Sequence, residues 1–145
     1  MKKLRSVIFR KLDNIKDEYD FVNKRANGAY HVYRRKSDDQ NVCIKKIKSD
    51  ESYNVVSLLM LNNGDSMIKC FDSVECEGDQ WVVLELMADN LNGLIKYLQN
   101  FHDDHNESLI AYAVWSILKG LNFLHDRGQV YQWLSSYNVL YNYDA

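Results

Sequence analysis

Asn41-Val42-Cys43-Ile44-Lys45 is the stretch on which the fold turns. It is a β-type segment in which Lys45 shares a strand face with Cys43, because successive side chains of a strand point to opposite sides. Before it stand Tyr19-Asp20-Phe21-Val22 and Tyr30-His31-Val32-Tyr33, separated by the turn-forming Ala26-Asn27-Gly28 and Ser37-Asp38-Asp39. That arrangement predicts an antiparallel meander. After it, Asp50 to Asn62 carries Val55, Val56, Leu58, Leu59 and Leu61, a short helix stopped by Asn62-Asn63-Gly64-Asp65. Two more strands follow, Met67 to Val74 and Gln80 to Leu86, joined by the polar turn Glu75 to Asp79. The first half of the chain therefore reads as five strands and one helix.

The second half reads as helical. Asn90 is placed to cap a helix carrying Leu91, Leu94, Ile95 and Leu98, and Asn106 to cap a longer one running from Leu109 to Leu124. Gly128 takes the usual C-terminal position. The long helix has an apolar face wide enough to be buried against more than one neighbour. At the other end, Leu4, Ile8, Leu12 and Ile15 recur at helical spacing among Lys and Arg side chains. That spacing predicts an amphipathic basic helix over residues 1–18, either packed on the domain or docking elsewhere.

Composition bounds the function. The 145 residues are 46% hydrophobic, 26% charged and 12% aromatic, the make-up of a folded globular chain. A formal net charge of -2 supplies no positive field for nucleic acid. Cys43, Cys70 and Cys76 are odd in number and lack C-x-x-C spacing, which argues against a disulfide framework or zinc site and for a reducing, intracellular setting, cytoplasmic or nuclear. No apolar run approaches the ~20 residues of a membrane span. Proline is absent altogether.

The order of these elements, and the residues at their junctions, resembles the protein kinases, with a serine/threonine, Ste20-like texture. Val42-Cys43-Ile44-Lys45 resembles the V-A-I-K strand. Trp81 to Met87 resembles the fifth strand and hinge, and Gly120-Leu121-Asn122-Phe123-Leu124-His125 the G-L-x-Y-L-H helix end. Val130-Tyr131-Gln132-Trp133-Leu134-Ser135-Ser136-Tyr137-Asn138-Val139-Leu140 takes the place of I-H-R-D-L-x-x-x-N-I-L. The resemblance covers roughly Tyr19 to Tyr141. It implies an α+β fold: an N-lobe of a five-stranded antiparallel sheet plus one helix, then part of a helical C-lobe. The implied divisions are 1–18, 19–87 and 88–145.

The resemblance also implies a site. Phosphoryl transfer is mostly positioning and charge: a phosphate-covering loop, a Lys–Glu pair, metal ligands and a base aspartate. The glycine-rich loop is reduced to Gly28. Val32, Cys43, Lys45, Leu84, Met87 and Leu140, with hinge backbone groups at Glu85 and Met87, outline an adenine-sized site that leaves room for weak ATP binding without magnesium. The position of the helix glutamate falls on Val55, with Glu51 one turn earlier. Tyr131, Gln132 and Trp133 stand where His, Arg and Asp belong, and an indole has no basic lone pair to accept a hydroxyl proton. Asn138 matches a metal-binding asparagine but lacks its aspartate partner, and the D-F-G segment would lie beyond Ala145. The expectation is a chain that is not an enzyme: a pseudokinase with no catalytic residue, no metal and no required cofactor. It would act as a binding or regulatory module, docking a protein through the Leu109–Leu124 face and the aromatic residues Tyr131, Trp133, Tyr137, Tyr141 and Tyr143. The alternatives are a remnant without selected function and the front half of a longer serine/threonine kinase.

Overall fold

The computed structural model describes residues 9–25, 30–47, 64–99 and 106–142, which fall into two compact units. The expected helix over 50–62, the Gly28 loop and Tyr143 lie outside the described residues.

The first unit is a six-stranded sheet built from β1 (Arg10–Lys11), β2 (Tyr19–Arg25), β3 (Tyr30–Arg35), β4 (Asn41–Ile47), β5 (Cys70–Cys76) and β6 (Asp79–Glu85), in the order β1-β5-β6-β4-β3-β2. Five of the strands pair antiparallel, and β2, β3 and β4 form the meander that the sequence implies, while β6 and not β5 pairs with β4. β4 and β6 are central, and their apolar residues fall on both parities, so each face of the sheet carries a cluster. Tyr19, Tyr33, Val42, Ile44, Val74 and Val83 form one. Ile47, Val82 and Leu84 form the other, with Phe9, Cys43, Ile68 and Cys70 packed against it.

Three details differ from the sequence reading. The sheet is mixed, not purely antiparallel, because β1 joins the β5 edge in parallel register, Arg10 opposite Val74. The amphipathic helix expected over residues 1–18 is not formed in its described part: residues 10–11 are strand and Ile15–Asp17 a single 3-10 turn. The reason is competition. The Leu12 amide bonds the Glu75 carbonyl at 3.0 Å, while the Asn14 side chain accepts from the Lys16 amide at 2.9 Å. Such local bonding by asparagine favours a turn over a helix interior. Leu12 and Ile15 are still partly buried as an apolar pair, now against the sheet. Finally, the strand expected from Met67 starts at Cys70, and the β5–β6 turn narrows to Glu77-Gly78, with φ of 53° and 81°. Positive φ at both central residues is the hairpin turn whose twist matches the flanking strands.

Among its described residues the second unit holds two helices, Leu91–Leu98 and Asn106–His125. As the sequence implies, the Asn90 side chain caps the first by accepting from the Gly93 amide at 3.1 Å. The long helix closes at Gly128, where φ is +71°. The Gly128 amide reaches the His125 carbonyl and the Gln129 amide the Leu124 carbonyl, which satisfies carbonyls that the helix end leaves open. The 64–67 turn lies against this helix. A methyl on Gly120 would meet the Ser66 carbonyl oxygen at 3.3 Å, so any larger residue there would press the turn back by a few tenths of an ångström. No helix among the described residues is long and apolar enough to cross a membrane.

Candidate functional site

Strand register in the first unit puts three of the sequence-nominated residues in one row. Val32 is opposite Cys43 and Cys43 is opposite Leu84, and directly opposed residues of antiparallel strands share a face. Val32 and Leu84 are buried, and Cys43 is half-buried between them. Burial pushes the Cys43 thiol up to about 11, against the smaller opposing pull of Lys45 and Arg25. At neutral pH it is therefore a small neutral side chain and not a thiolate nucleophile. Two residues on, Lys45 lies opposite Val82 on the same face and is exposed. Among the described residues no carboxylate forms an ion pair with it. Both Glu51 and Val55, the positions weighed for its partner, lie outside the described residues, as does Gly28.

Glu85 ends β6 with its groups committed. Its amide donates to the Lys69 carbonyl at 3.0 Å, and its carboxylate accepts from the Lys69 amide at 2.6 Å. The side chain thus anchors the strand end to the segment before β5. Sequence reading credits Glu85 only with hinge backbone groups. Its side-chain role depends on a contact sixteen positions away, which no local pattern reports.

In the second unit, Met87 is half-buried, and Leu140 lies in a two-residue strand, β8 (Leu140–Tyr141), paired with β7 (Asp89–Asn90). Around this ladder the Ala88 amide bonds the Tyr141 carbonyl, the Leu91 amide the Val139 carbonyl and the Asn92 amide the Ser136 carbonyl. The loop that stands in the place of H-R-D is therefore stitched to the start of the first helix. Within it, the Asn138 side-chain amide donates to the Trp133 carbonyl at 2.8 Å, and the Asn138 backbone amide to the Ser135 carbonyl at 3.0 Å. Tyr131 is half-buried, which raises its phenol above the ordinary value. Gln132 and Trp133 are exposed. Two-residue strands have no periodicity to read, so the β7–β8 ladder is invisible in the sequence.

The long helix is more exposed than a packed helix of its composition. Leu109, Ile110, Tyr112, Val114, Trp115 and Leu118 are all exposed, and Gly120 and Leu124 are its buried residues among those described.

No family model matches the chain. Individual proteins do. It is 27% identical over 138 residues to serine/threonine-protein kinase pakA of Dictyostelium discoideum, covering 89% of this chain and 11% of that protein. To serine/threonine-protein kinase STE20 of Debaryomyces hansenii it is 26% identical over 127 residues, covering 83% of this chain and 11% of that protein. To mitogen-activated protein kinase p38a of Drosophila melanogaster it is 26% identical, covering 94% of this chain and 43% of that protein. The chain thus spans less than half the length of each of these relatives. They correct one expectation. From the residues of the catalytic-loop stretch the sequence reading expects a chain that is not an enzyme, yet each of these relatives, matched over most of this chain, carries the name of a protein kinase.

Proposed function

Because this chain is kinase-like, a homologue of serine/threonine protein kinases over most of its length, we propose that it is the front portion of such a kinase domain and holds an adenine nucleotide on its sheet. The observation that carries this reading is the row Val32–Cys43–Leu84: a small neutral side chain between two apolar ones, with the Lys45 ammonium two residues along the same face. A flat apolar floor suits an adenine ring, and a cation beside it suits the phosphates.

The exposed face of the Asn106–His125 helix belongs to the same proposal. Its occupant is the remainder of a kinase catalytic domain, whether in the same polypeptide or another. Large exposed apolar area usually marks a binding surface, and Trp and Tyr are frequent anchors.

A thermal-shift titration tests the nucleotide reading. A ligand at 100 times its Kd stabilises the folded state by about 2.7 kcal/mol. The parent chain is expected to shift upward with ATP, with or without magnesium, and Lys45→Met to shift less. An unchanged transition up to millimolar ATP contradicts the reading.

A further inference from the structure

Residues 9–18 wrap around the β5 edge of the sheet and touch both of its faces. Phe9 packs with the cluster of Ile47, Val82 and Leu84, the side on which Cys43 lies. Leu12 and Ile15 pack with Tyr19, Tyr33 and Val42 on the opposite side. Between them β1 contributes only two residues to the ladder. A strand that short adds few backbone bonds, so side chains must secure it. Arg10 does so from the start of the wrap. Its guanidinium donates to Asp72 on β5 at 2.6 and 3.0 Å, and to both oxygens of Glu18 at 2.6 and 2.8 Å. One side chain thereby closes both ends of the segment, onto the sheet edge and onto its own exit. The Arg10 and Glu18 side chains are each 42% exposed, so water and salt compete for this contact.

We propose that residues 9–18 are a releasable strap whose docking sets the nucleotide affinity of the sheet, with Arg10 as its latch. This rests on the nucleotide reading above. Phe9 belongs to the same apolar cluster as Leu84 and Cys43, so a docked strap packs the floor from its edge and a released strap leaves that cluster without Phe9. Affinity then falls by the fraction of molecules with the strap docked. Linkage requires the converse: bound nucleotide holds the strap down. Arg10 is a positioning residue here, acting through the strap and not on the ligand.

Hydrogen exchange at the Leu12 amide, which bonds Glu75, reports docking without reference to nucleotide. ATP titration of the same full chain reports affinity. Arg10→Gln is expected to accelerate Leu12 exchange and to weaken ATP binding about fivefold, the low end of ordinary coupling. Added salt should act in the same direction on the parent, and saturating ATP should slow Leu12 exchange. Glu18→Gln, which removes one of the two carboxylates, gives a milder version should Arg10→Gln fold poorly. Faster Leu12 exchange with unchanged ATP affinity overturns the coupling while leaving nucleotide binding intact. No ATP binding by the parent chain overturns both. Leu12 exchange that ignores both substitutions overturns the latch.

Discussion

Asn138 holds the Trp133 carbonyl at 2.8 Å across the loop between the long helix and β8. The contact closes the second half of that loop on itself, while the amides of Leu91 and Asn92 tie it to the neighbouring helix start. An intramolecular hydrogen bond contributes about 0.5–1.5 kcal/mol net. Asn138→Ala should therefore lower stability by about 1 kcal/mol and speed exchange of the Asn92 amide. An unmoved denaturation midpoint would show that the loop is held by its backbone bonds alone.

Gly120 supports the 64–67 turn by having no side chain. A methyl there would sit 3.3 Å from a backbone oxygen and 3.5 Å from the Ser66 side chain, and overpacking of this kind costs about 1–3 kcal/mol. Gly120→Val is expected to lower the urea midpoint accordingly. Gly120→Ala is expected to fall between, since better helix propensity of about 1 kcal/mol opposes the crowding. A Val variant as stable as the parent would mean that the turn moves aside freely.

Gly78 has open space around it but a φ of +81°, so its conformation and not its contacts should decide the effect of substitution. Gly78→Ala should cost about 1–2 kcal/mol, the left-handed penalty for a residue with a Cβ. Gly78→Asn should cost less. Equal effects of the two would contradict the conformational explanation.

The Arg10 guanidinium holds the Glu18 carboxyl below its ordinary value of about 4.5. A depressed folded pKa contributes stability that is present above the unfolded value and is lost as pH falls through the folded one. Asp72 and Arg35 are the other charged groups of this neighbourhood. Acidification below the ordinary glutamate range should release residues 9–18 first, seen as faster Leu12 exchange or proteolytic cleavage near Asp13. Glu18→Gln should remove part of that pH dependence. A parent and variant with identical acid profiles would exclude Glu18 as the titrating group.

Much of the sheet was legible because β4 and β6 are short runs rich in β-branched and apolar residues and the turns between strands carry Gly, Asn and Asp. The helix caps at Asn90 and Gly128 were legible for a similar local reason. Residues 9–18 were misread because Leu12 and Ile15 satisfy a helical period and equally well a wrap over a sheet edge; the deciding bond to Glu75 is long-range. The floor residues Val32, Cys43 and Leu84 were nominated by likeness to a known strand motif, and strand register then places them side by side. The side-chain engagement of Glu85 with Lys69, of Asn138 with Trp133, and of Arg10 with Asp72 and Glu18 had no sequence signal, since each depends on which segments the fold brings together.

Calorimetric titration of ATP into the parent chain and into Cys43→Phe tests the central claim most directly. Saturable one-to-one binding is expected for the parent, and its loss in a variant that is still folded, because a phenyl ring would fill the space between Val32 and Leu84. Absence of heat from the parent at millimolar ATP, or equal binding by the two chains, would contradict it.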